Sequence, residues 1–394
     1  MIIYILIISI FSFIGLLELV HYLRPKSPLQ VKYHDWDIKI STLNLNISGY
    51  LEIINPHKSM EVMIPELSIK PIPLGNQSLN ELKIKTKIKA QHPDEESRED
   101  NYWQVYIVKS RKSTQAHVDI TLETQSNQNI FNILESIWIE VSWLNYGPFG
   151  QINKINGFVI PIRKEQYHKN KWIELSNKVK ILPIKTHILG VLDNPIDVLS
   201  EYVSHISKPG DILTIGESPL AIMQGRYVNP KNINISLMAK VLCSSFHPTS
   251  SLASACGMQS LIDLQGPSRI FIAWFFGAIL KTFGIKGYFY KFAGQQARLI
   301  DDITGTTPPY DKNIVLGPID CDNFCTESAN KLGIDIAIVD VNDLGRIKIL
   351  SSTKRCDKEL LHQALISNPA GNANQHTPLV LVRPLTTIDD TNLQ

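Results

Sequence analysis

The chain has 394 residues, of which 44% are hydrophobic and 19% charged, a composition that excludes a disordered, collagen-like or coiled-coil protein. Its length favours two domains over one, because single hydrophobic cores rarely grow beyond a few hundred residues. The 39 basic and 37 acidic residues leave a formal net charge of +2, which argues against nucleic acid as the main partner.

The first 23 residues, MIIYILIISIFSFIGLLELVHYL, contain one acid, Glu18, and predict a transmembrane helix over residues 1–23. The segment lacks a basic amino-terminal region and a small-residue cleavage site, so we expect it to be retained as a single-pass anchor. Arg24 and Lys26 follow it, which places the remaining domains on the cytoplasmic side. Five cysteines fit a reducing compartment, since they are odd in number and sparse. The alternative is a buried helix of a soluble core.

Residues 31–163 consist of short runs that alternate apolar and polar residues, broken by Asn, Gly and Pro, which predicts an all-β sandwich domain. The acidic segment QHPDEESRED, residues 91–100, is a predicted loop. Within this domain, SGYLEIINPHKSMEVMIPELSIKP (residues 48–71) resembles the water-stress and late-embryogenesis type 2 sandwich domains. We interpret the domain as a spacer or interaction module, and a purely structural sandwich is the alternative.

The polar segment 164–178 is a predicted linker, and residues 179–385 form a second domain in which apolar strands alternate with helices. This pattern is typical of α/β or α+β folds. We expect strands at VKILPI, DILTI, NIVLG, IDIAIVD and PLVLV, a helix that begins near Pro195, and a helix from Asp320 to Leu332 that ends at Gly333. Residues 386–394 are a predicted tail.

Acidic residues stand beside two of these strands, where open α/β sheets gather their ligands. Asp301 and Asp302 precede NIVLG, whereas Asp340, Asn342 and Asp343 follow the apolar run IAIV. Carboxylate oxygens are the ligands that Mg²⁺ and Mn²⁺ prefer, which makes these acids candidates for a metal site. The alternative is that they cap turns through bonds to their own backbone.

Three separated blocks resemble the deazaflavin coenzyme F-420:gamma-glutamyl ligase family. KPGDILTIGESPLAIMQGR (residues 208–226) is similar to a strand followed by Ser-Lys-x-Glu-Gly-Arg. NIVLGPIDCDNFCTESANKLGIDIAIVDVNDLGR (residues 313–346) is similar to a strand, Pro-x-Asp-x-Asp, a helix, a strand and Asp-Thr-Phe-Gly-Arg. HTPLVLVRPL (residues 376–385) resembles the closing strand.

The resemblance implies an amide-bond-forming ligase in which GTP phosphorylates a small carboxylate substrate and L-glutamate displaces phosphate from the acyl phosphate. It implies two divalent ions, Mg²⁺ or Mn²⁺, with Asp301 and Asp343 as metal ligands. It also implies Arg226 and Asp343 as catalytic residues, and it carries over the nucleotide-contacting positions Gly225, Arg226, Thr304 and Arg346. A homodimer is kept among the expected partners.

The chain departs from the family pattern at several of these positions. Ile222 stands where the family has a nucleotide-contacting Lys, and Gln224 replaces its Glu. Thr304 replaces an Asn, and Leu344 replaces a Thr. Four basic residues are candidates to compensate for the lost Lys, namely Lys185, Arg226, Arg298 and Arg346. The alternative function is therefore a non-catalytic ligand-binding or scaffold protein that retains the fold.

The segment between Arg226 and Asp301 is absent from the family pattern, and it ends in the apolar stretch RIFIAWFFGAILKTFGIKGYFYKFAG (residues 269–294). Its continuous apolar stretch is too short to span a bilayer. We favour a core helix of the second domain. In the alternative, the segment lies in a membrane interface with Trp274 and Phe275 dipping in and Lys281 and Lys286 toward the headgroups.

Overall fold

The structure is a computed structural model that describes residues 2–22, 27–75, 79, 82–124, 129–163, 171–303, 308–341, 347–371 and 376–385. The chain divides into two compact units. One comprises Met1–Ile133 with Ile139–Gly157, and the other comprises Leu134–Trp138 with Phe158–Gln394. The predicted linker, residues 164–178, is described from residue 171 onward.

The chain begins with helix α1 (Ile2–Tyr22), so the predicted helical conformation of this segment is observed. Over the described residues, however, the structure contains no helix that combines the length and the hydropathy needed to cross a bilayer. A crossing requires about 20 consecutive apolar residues. The prediction of a transmembrane helix over residues 1–23 is therefore not supported.

The sandwich contains two four-stranded sheets, and the all-β fold that the alternating pattern predicts is observed. Its elements are β1 (Gln30–Ile40), β2 (Asn44–Ile54), β3 (Val62–Leu74), β4 (Leu82–Gln91), β5 (Tyr106–Val108), β6 (Ser113–Thr124), α2 (Ile130–Ile133), β7 (Ser136–Gly147) and β8 (Gly150–Pro161). The strand orders are β1-β2-β6-β4 and β5-β3-β7-β8. Buried and exposed residues alternate along β2 and β6, because successive side chains of a strand point to opposite faces of the sheet.

The second unit is built around a mixed sheet. Its elements are β9 (Ile173–Ser176), β10 (Val179–Ile184), α3 (Pro195–Val203), β11 (Ile212–Gly216), α4 (Glu217–Met223), β12 (Tyr227–Val228), α5 (Leu237–Cys243), α6 (Ala255–Gln265), α7 (Pro267–Thr282), α8 (Tyr288–Ala293), β13 (Ile314–Val315), α9 (Cys321–Leu332), β14 (Asp335–Val341), β15 (Ile347–Ser352), α10 (Lys358–Leu365) and β16 (Leu379–Pro384). The strand order of the large sheet is β15-β14-β11-β16-β10-β9. β11 and β14 are parallel, and their neighbours in this sheet pair antiparallel.

Helices cover both faces of this sheet. Alternate strand residues such as Leu213 and Ile336 pack with α3 and α9 on one face. Their sequence neighbours Ile212 and Ala337 pack with α10 on the other face. Because both faces are covered, the central strands are apolar throughout, which explains why they were recognisable in the sequence. The predicted strands are all observed, and the α/β class of the second domain is confirmed.

Local capping places two of the helices where they were predicted. Asn194 caps α3 by accepting bonds from the backbone N–H groups of Ile196 and Asp197, with Pro195 at the first helical position. Helix α9 follows Asp320 and ends at Gly333, whose φ of 70° is left-handed. In the described geometry Asp320 makes no side-chain capping bond, since its own backbone is left-handed, with φ of 52°.

The inserted segment forms a small helical cluster with a core of its own, contributed by α5, α6, α7 and α8. Gly277 of α7 approaches α8 closely, since a Cβ at this position would stand 3.1 Å from the backbone nitrogen of Phe289. Helix α7 is nevertheless not the predicted core helix. Only Ile270 and Ala273 of α7 are buried, because one narrow face of the helix meets the rest of the cluster.

Candidate active site

Three carboxyl groups of the second unit lie at one end of its sheet. The parallel register pairs Gly216 of β11 with Val339 of β14, so Glu217 and Asp340 are the next residues along the two strands. Asp340 is also directly opposite Lys348 in the antiparallel pair of β14 and β15. Glu217 and Asp340 therefore lie at neighbouring positions at the carboxyl ends of β11 and β14, the edge where such sheets bind ligands, and Lys348 lies opposite Asp340.

Asp301 joins this group through its backbone and through its side chain. Its backbone N–H and C=O pair with Val315 of β13 at 2.8 and 2.9 Å. Its Oδ2 accepts a hydrogen bond of 2.6 Å from the Oγ of Ser218, the residue after Glu217. The prediction placed Asp301 at this edge of the fold, and the structure shows which neighbour holds its carboxylate.

All three carboxyl groups have a raised pKa, and burial is the largest cause in each case. The pKa of Glu217 is raised to about 9 by burial together with the charges of Asp340 and Asp301, against the opposing effect of Lys348. Burial also raises the pKa of Asp301 to about 6, and the bond from Ser218 works in the opposite direction. The pKa of Asp340 is likewise raised by burial and lowered by Lys348. Glu217 therefore carries its proton at neutral pH.

One oxygen of this cluster has no partner in the described structure. Glu217 is 7% exposed, and its Oε2 is buried without a hydrogen bond. Leaving a polar atom in this state costs about 1–3 kcal/mol, so such atoms in folded proteins usually face a ligand, an ion or a water molecule. The cluster therefore combines excess negative charge with an unused hydrogen-bonding group.

The predicted residues Gly225 and Arg226 lie just after α4. Gly225 has a left-handed φ of 68°, and a Cβ at this position would stand 3.1 Å from the Cγ2 of Val191. The Arg226 guanidinium donates to the backbone oxygen of Gly317 at 2.6 Å and to Gln296 at 3.4 Å. Burial lowers the pKa of Arg226, whereas the neighbouring Cys321 raises it.

Cys321 also connects this arginine to the carboxyl cluster. Burial is the largest cause of the raised pKa of its thiol, and the charges of Asp322, Asp320 and Glu217 raise the pKa further. Cys321 thus interacts electrostatically with both Glu217 and Arg226.

The two departures from the family pattern in α4 and just after it have structural roles. Ile222 is buried, with 6% exposure, so no ammonium group is held at that point of the helix. Gln224 exchanges two hydrogen bonds of 2.9 Å with the backbone of Ile319. These contacts tie α4 to the segment before α9.

Thr304, Asp343 and Arg346 lie outside the described residues, as does Leu344. Of the two predicted metal ligands, Asp301 and Asp343, the structure therefore describes only Asp301. The acid that the structure places with Asp301 is Asp340, which the sequence had singled out in the same cluster as Asp343. Glu217 and Lys348 were missed, although Glu217 follows a strand as Asp340 does, and that signal could have identified it.

The donor chemistry of the cluster fits a hard divalent cation. Carboxylate oxygens are suited to Mg²⁺ and Mn²⁺, and Asp301 and Asp340 supply them next to the unpartnered oxygen of Glu217. Over the described part of the chain, no set of three His, Cys, Asp or Glu side chains is already arranged as a metal-binding group. The metal site thus stays a prediction that the donor set supports.

Glu217 yields a prediction about stability. Its pKa of about 9 in the folded protein lies above the ordinary value of 4.5, so the folded state holds a proton that the unfolded state has released between these two values. The free energy of unfolding should consequently fall as the pH rises through this window. Glu217→Gln removes the effect and should raise the free energy of unfolding by up to about 5 kcal/mol at pH 8, because one pKa unit corresponds to about 1.4 kcal/mol.

Urea unfolding at pH 5 and pH 8 in the presence of EDTA would measure this difference. Glu201→Gln, at an exposed position of α3, is the matched control and should change stability equally little at both pH values. A Glu217→Gln variant whose stability relative to the native protein is the same at both pH values would contradict the raised pKa.

Comparison with known proteins identifies the sandwich. Residues 30–164 match the family described as "F420-0:gamma-glutamyl ligase, N-terminal Ig-like domain". The match confirms the resemblance to the F420-0:gamma-glutamyl ligase family, and it falls on the sandwich, whereas the resemblance was drawn from residues 208–385. The likeness to late-embryogenesis type 2 domains stays a prediction. No curated protein matches the chain.

Solved structures were also compared with the chain. The GAE domain of GGA2p from Saccharomyces cerevisiae is 11% identical, with a TM-score of 0.21, and the alignment covers 35% of this chain and 95% of that one. The yeast GGA1_GAE domain-P21 structure is 12% identical, with a TM-score of 0.19, and covers 35% of this chain and 96% of that one. At these scores neither likeness supports an argument about fold or function.

Proposed function

We propose that this protein is a nucleotide- and metal-dependent ligase that joins a small carboxylate substrate to L-glutamate through an acyl phosphate. The observation that carries the proposal is the buried carboxyl cluster of Glu217, Asp301 and Asp340 at the carboxyl ends of the parallel strands. The family of the preceding Ig-like domain supports the same reaction class. GTP and a deazaflavin acceptor are the substrates that the resemblance suggests.

The carboxylates of Asp301 and Asp340, with the predicted ligand Asp343, would hold Mg²⁺ or Mn²⁺ in this proposal. When bound, such an ion neutralises charge on phosphate oxygens and favours phosphoryl transfer. The positive charge of Lys348 acts on Glu217 and Asp340, and it opposes the effect of burial on the pKa of both groups. The cluster would therefore accept an anionic phosphate group rather than repel it.

Glu217 has a separate role in this proposal. Its carboxyl group is protonated at neutral pH, and its buried Oε2 has no hydrogen-bond partner within the described structure. A protonated carboxyl group donates a hydrogen bond, so Glu217 can bind a phosphate or carboxylate oxygen of the substrate without adding negative charge. The side chain would orient the reacting group beside Asp301.

Lys348 offers an answer to the loss of the family lysine at Ile222. The ammonium group that the family places on the helix after the first strand is absent from α4, where Ile222 is buried. Lys348 reaches the same cluster from β15, opposite Asp340. We propose that Lys348 supplies the missing positive charge, and that Gly225, Arg226, Thr304 and Arg346 contact the nucleotide.

The predicted membrane anchor and homodimer are not supported by the comparisons or by the helices of the described chain. The cytoplasmic location stays a prediction.

Nucleotide binding by the full-length protein would test the proposed function. Isothermal titration with GTP and with ATP should detect binding in the presence of Mg²⁺ or Mn²⁺, and EDTA should abolish it. Phosphate release should further depend on L-glutamate and a carboxylate acceptor. If no nucleotide binds under any metal condition, the ligase is refuted and a non-catalytic binding or scaffold role is favoured instead.

A further inference from the structure

A broad apolar face of helix α7 (Pro267–Thr282) is exposed. The residues of this face recur at spacings of three and four positions along the helix, so they lie on one broad side of its surface. The face comprises Phe271, Ile272, Phe275, Phe276 and Ile279, whose exposed fractions lie between 38% and 52%, and it continues into Phe283, which is 76% exposed. We call this set of residues the α7 apolar face.

The orientation of α7 explains why this face is left open. Ile270 and Ala273 are buried in the helical cluster, and Gly277 lies against the backbone of Phe289 in α8. The close approach at Gly277 fixes which side of α7 meets α8. The large aromatic and aliphatic side chains are therefore turned to the opposite side, where single exposed residues would be ordinary but a contiguous group indicates an interaction surface.

The charge of the surrounding sequence is strongly one-sided. From residue 264 to residue 300 the chain has no acidic residue, and its basic residues are Arg269, Lys281, Lys286, Lys291 and Arg298. Arg269, Lys281 and Lys286 are exposed at or just beyond the ends of α7. The whole chain has a net charge of only +2, so positive charge is concentrated in the segment that contains the apolar face.

We propose that the α7 apolar face is a docking surface for the headgroup region of an anionic lipid bilayer. Apolar side chains beside lysines are the combination that binds such an interface, with the apolar groups at the acyl boundary and the lysines at the anionic headgroups. Helix α7 has 16 residues, fewer than the roughly 20 needed for a crossing, so it would lie in the plane of the interface.

Other occupants fit the surface less well. A nucleic acid would use the basic residues but would leave Ile272 and Ile279 in water. A second copy of the chain would bring two segments of the same positive charge together, and like charges oppose such a contact. The proposal does not depend on the carboxyl cluster, so a failed ligase assay would leave it standing.

A tryptophan placed on this surface would report contact with lipid. Phe283→Trp, in the full-length protein, would be mixed with brominated phosphatidylcholine vesicles and with vesicles of brominated phosphatidylcholine and phosphatidylglycerol in equal parts. Tyr102→Trp, at a position of the first unit that is 64% exposed, is the matched control. The fluorescence of the native protein with the same vesicles is subtracted from that of each variant, which removes the signal of the native tryptophans. Quenching at residue 283 by anionic vesicles should exceed that at residue 102 by at least about threefold, since only an interfacial side chain meets the lipid-borne quencher.

Charge reversal separates lipid docking from simple exposure. Lys281→Glu with Lys286→Glu in the Phe283→Trp protein should abolish the excess quenching, and high salt should weaken it, because headgroup attraction is screened. Equal quenching at residues 283 and 102 would overturn the proposal, and so would excess quenching that neutral vesicles produce equally well. Tryptophan changes at residue 283 with RNA or DNA but not with vesicles would overturn it in favour of a nucleic-acid surface.

Discussion

Asp301→Asn is expected to abolish metal-dependent nucleotide binding and ligase activity while leaving the fold intact. The asparagine oxygen can still accept the hydrogen bond that Asp301 takes from Ser218, so the local contacts of the cluster survive. The change removes a negative charge from a proposed metal ligand. Mutation of a residue that only orients a metal ligand typically lowers metal affinity or activity by about 10–100-fold. We therefore expect a loss of at least about 100-fold when a ligand itself is changed.

The measurement is titration of the full-length variant with Mn²⁺ and nucleotide, with thermal unfolding in EDTA as the check on folding. Asp302→Asn is the matched control. Asp302 is the adjacent acid, and its charge raises the pKa of Cys256 after the larger effect of burial, which places it toward α6. The control should bind nucleotide nearly as the native protein does. Native-like metal-dependent binding by Asp301→Asn would remove Asp301 from the proposed site.

Arg383→Met is expected to cause a large loss of stability in the second unit. The guanidinium of Arg383 makes two bonds of 2.7 Å to the two oxygens of Asp211 and donates to the backbone oxygen of Ile206. It also lies 4.3 Å from the ring centre of Trp172. The Asp211 side chain is 2% exposed, so removing its partner leaves a buried charge without compensation. Such a change costs about 3–5 kcal/mol.

Urea unfolding would measure this loss, and two further variants make the result specific. Lys331→Met breaks the exposed ion pair with Asp197 and should cost less than about 1 kcal/mol. Adding Asp211→Asn to Arg383→Met should restore part of the stability, because the uncompensated charge is then removed. Equal losses for Arg383→Met and Lys331→Met would show that the buried pair contributes little.

The strands and the capped helices could be predicted because their signals are local. Four of the five predicted strands of the second unit, β10, β11, β14 and β16, are apolar runs in the sheet that helices cover on both faces, and the carboxyl end of α9 follows from Gly333. The sandwich could be predicted because strands such as β2 and β6 alternate buried and exposed residues along their length. These patterns depend on residues a few positions apart.

The candidate site was predicted only in part. Asp301 and the acids at the carboxyl end of β14 were found because short acidic residues beside apolar runs are visible in the sequence. Glu217 and Lys348 were missed, since their place in the cluster depends on the pairing of β11 with β14 and of β14 with β15. Residues that lie more than a hundred positions apart come together there through backbone pairing, which composition does not reveal.

The inserted apolar segment shows the same division between sequence and structure. Its composition was sufficient to predict a helix too short to span a bilayer. Composition does not, however, distinguish a buried apolar helix from an exposed one. The tertiary structure decided the question, because the packing of Gly277 on α8 turns one side of α7 inward and leaves the aromatic side in solvent. The sequence alone thus determined the elements and their chemistry, and the packing between distant elements decided which side chains meet each other and which meet the surroundings.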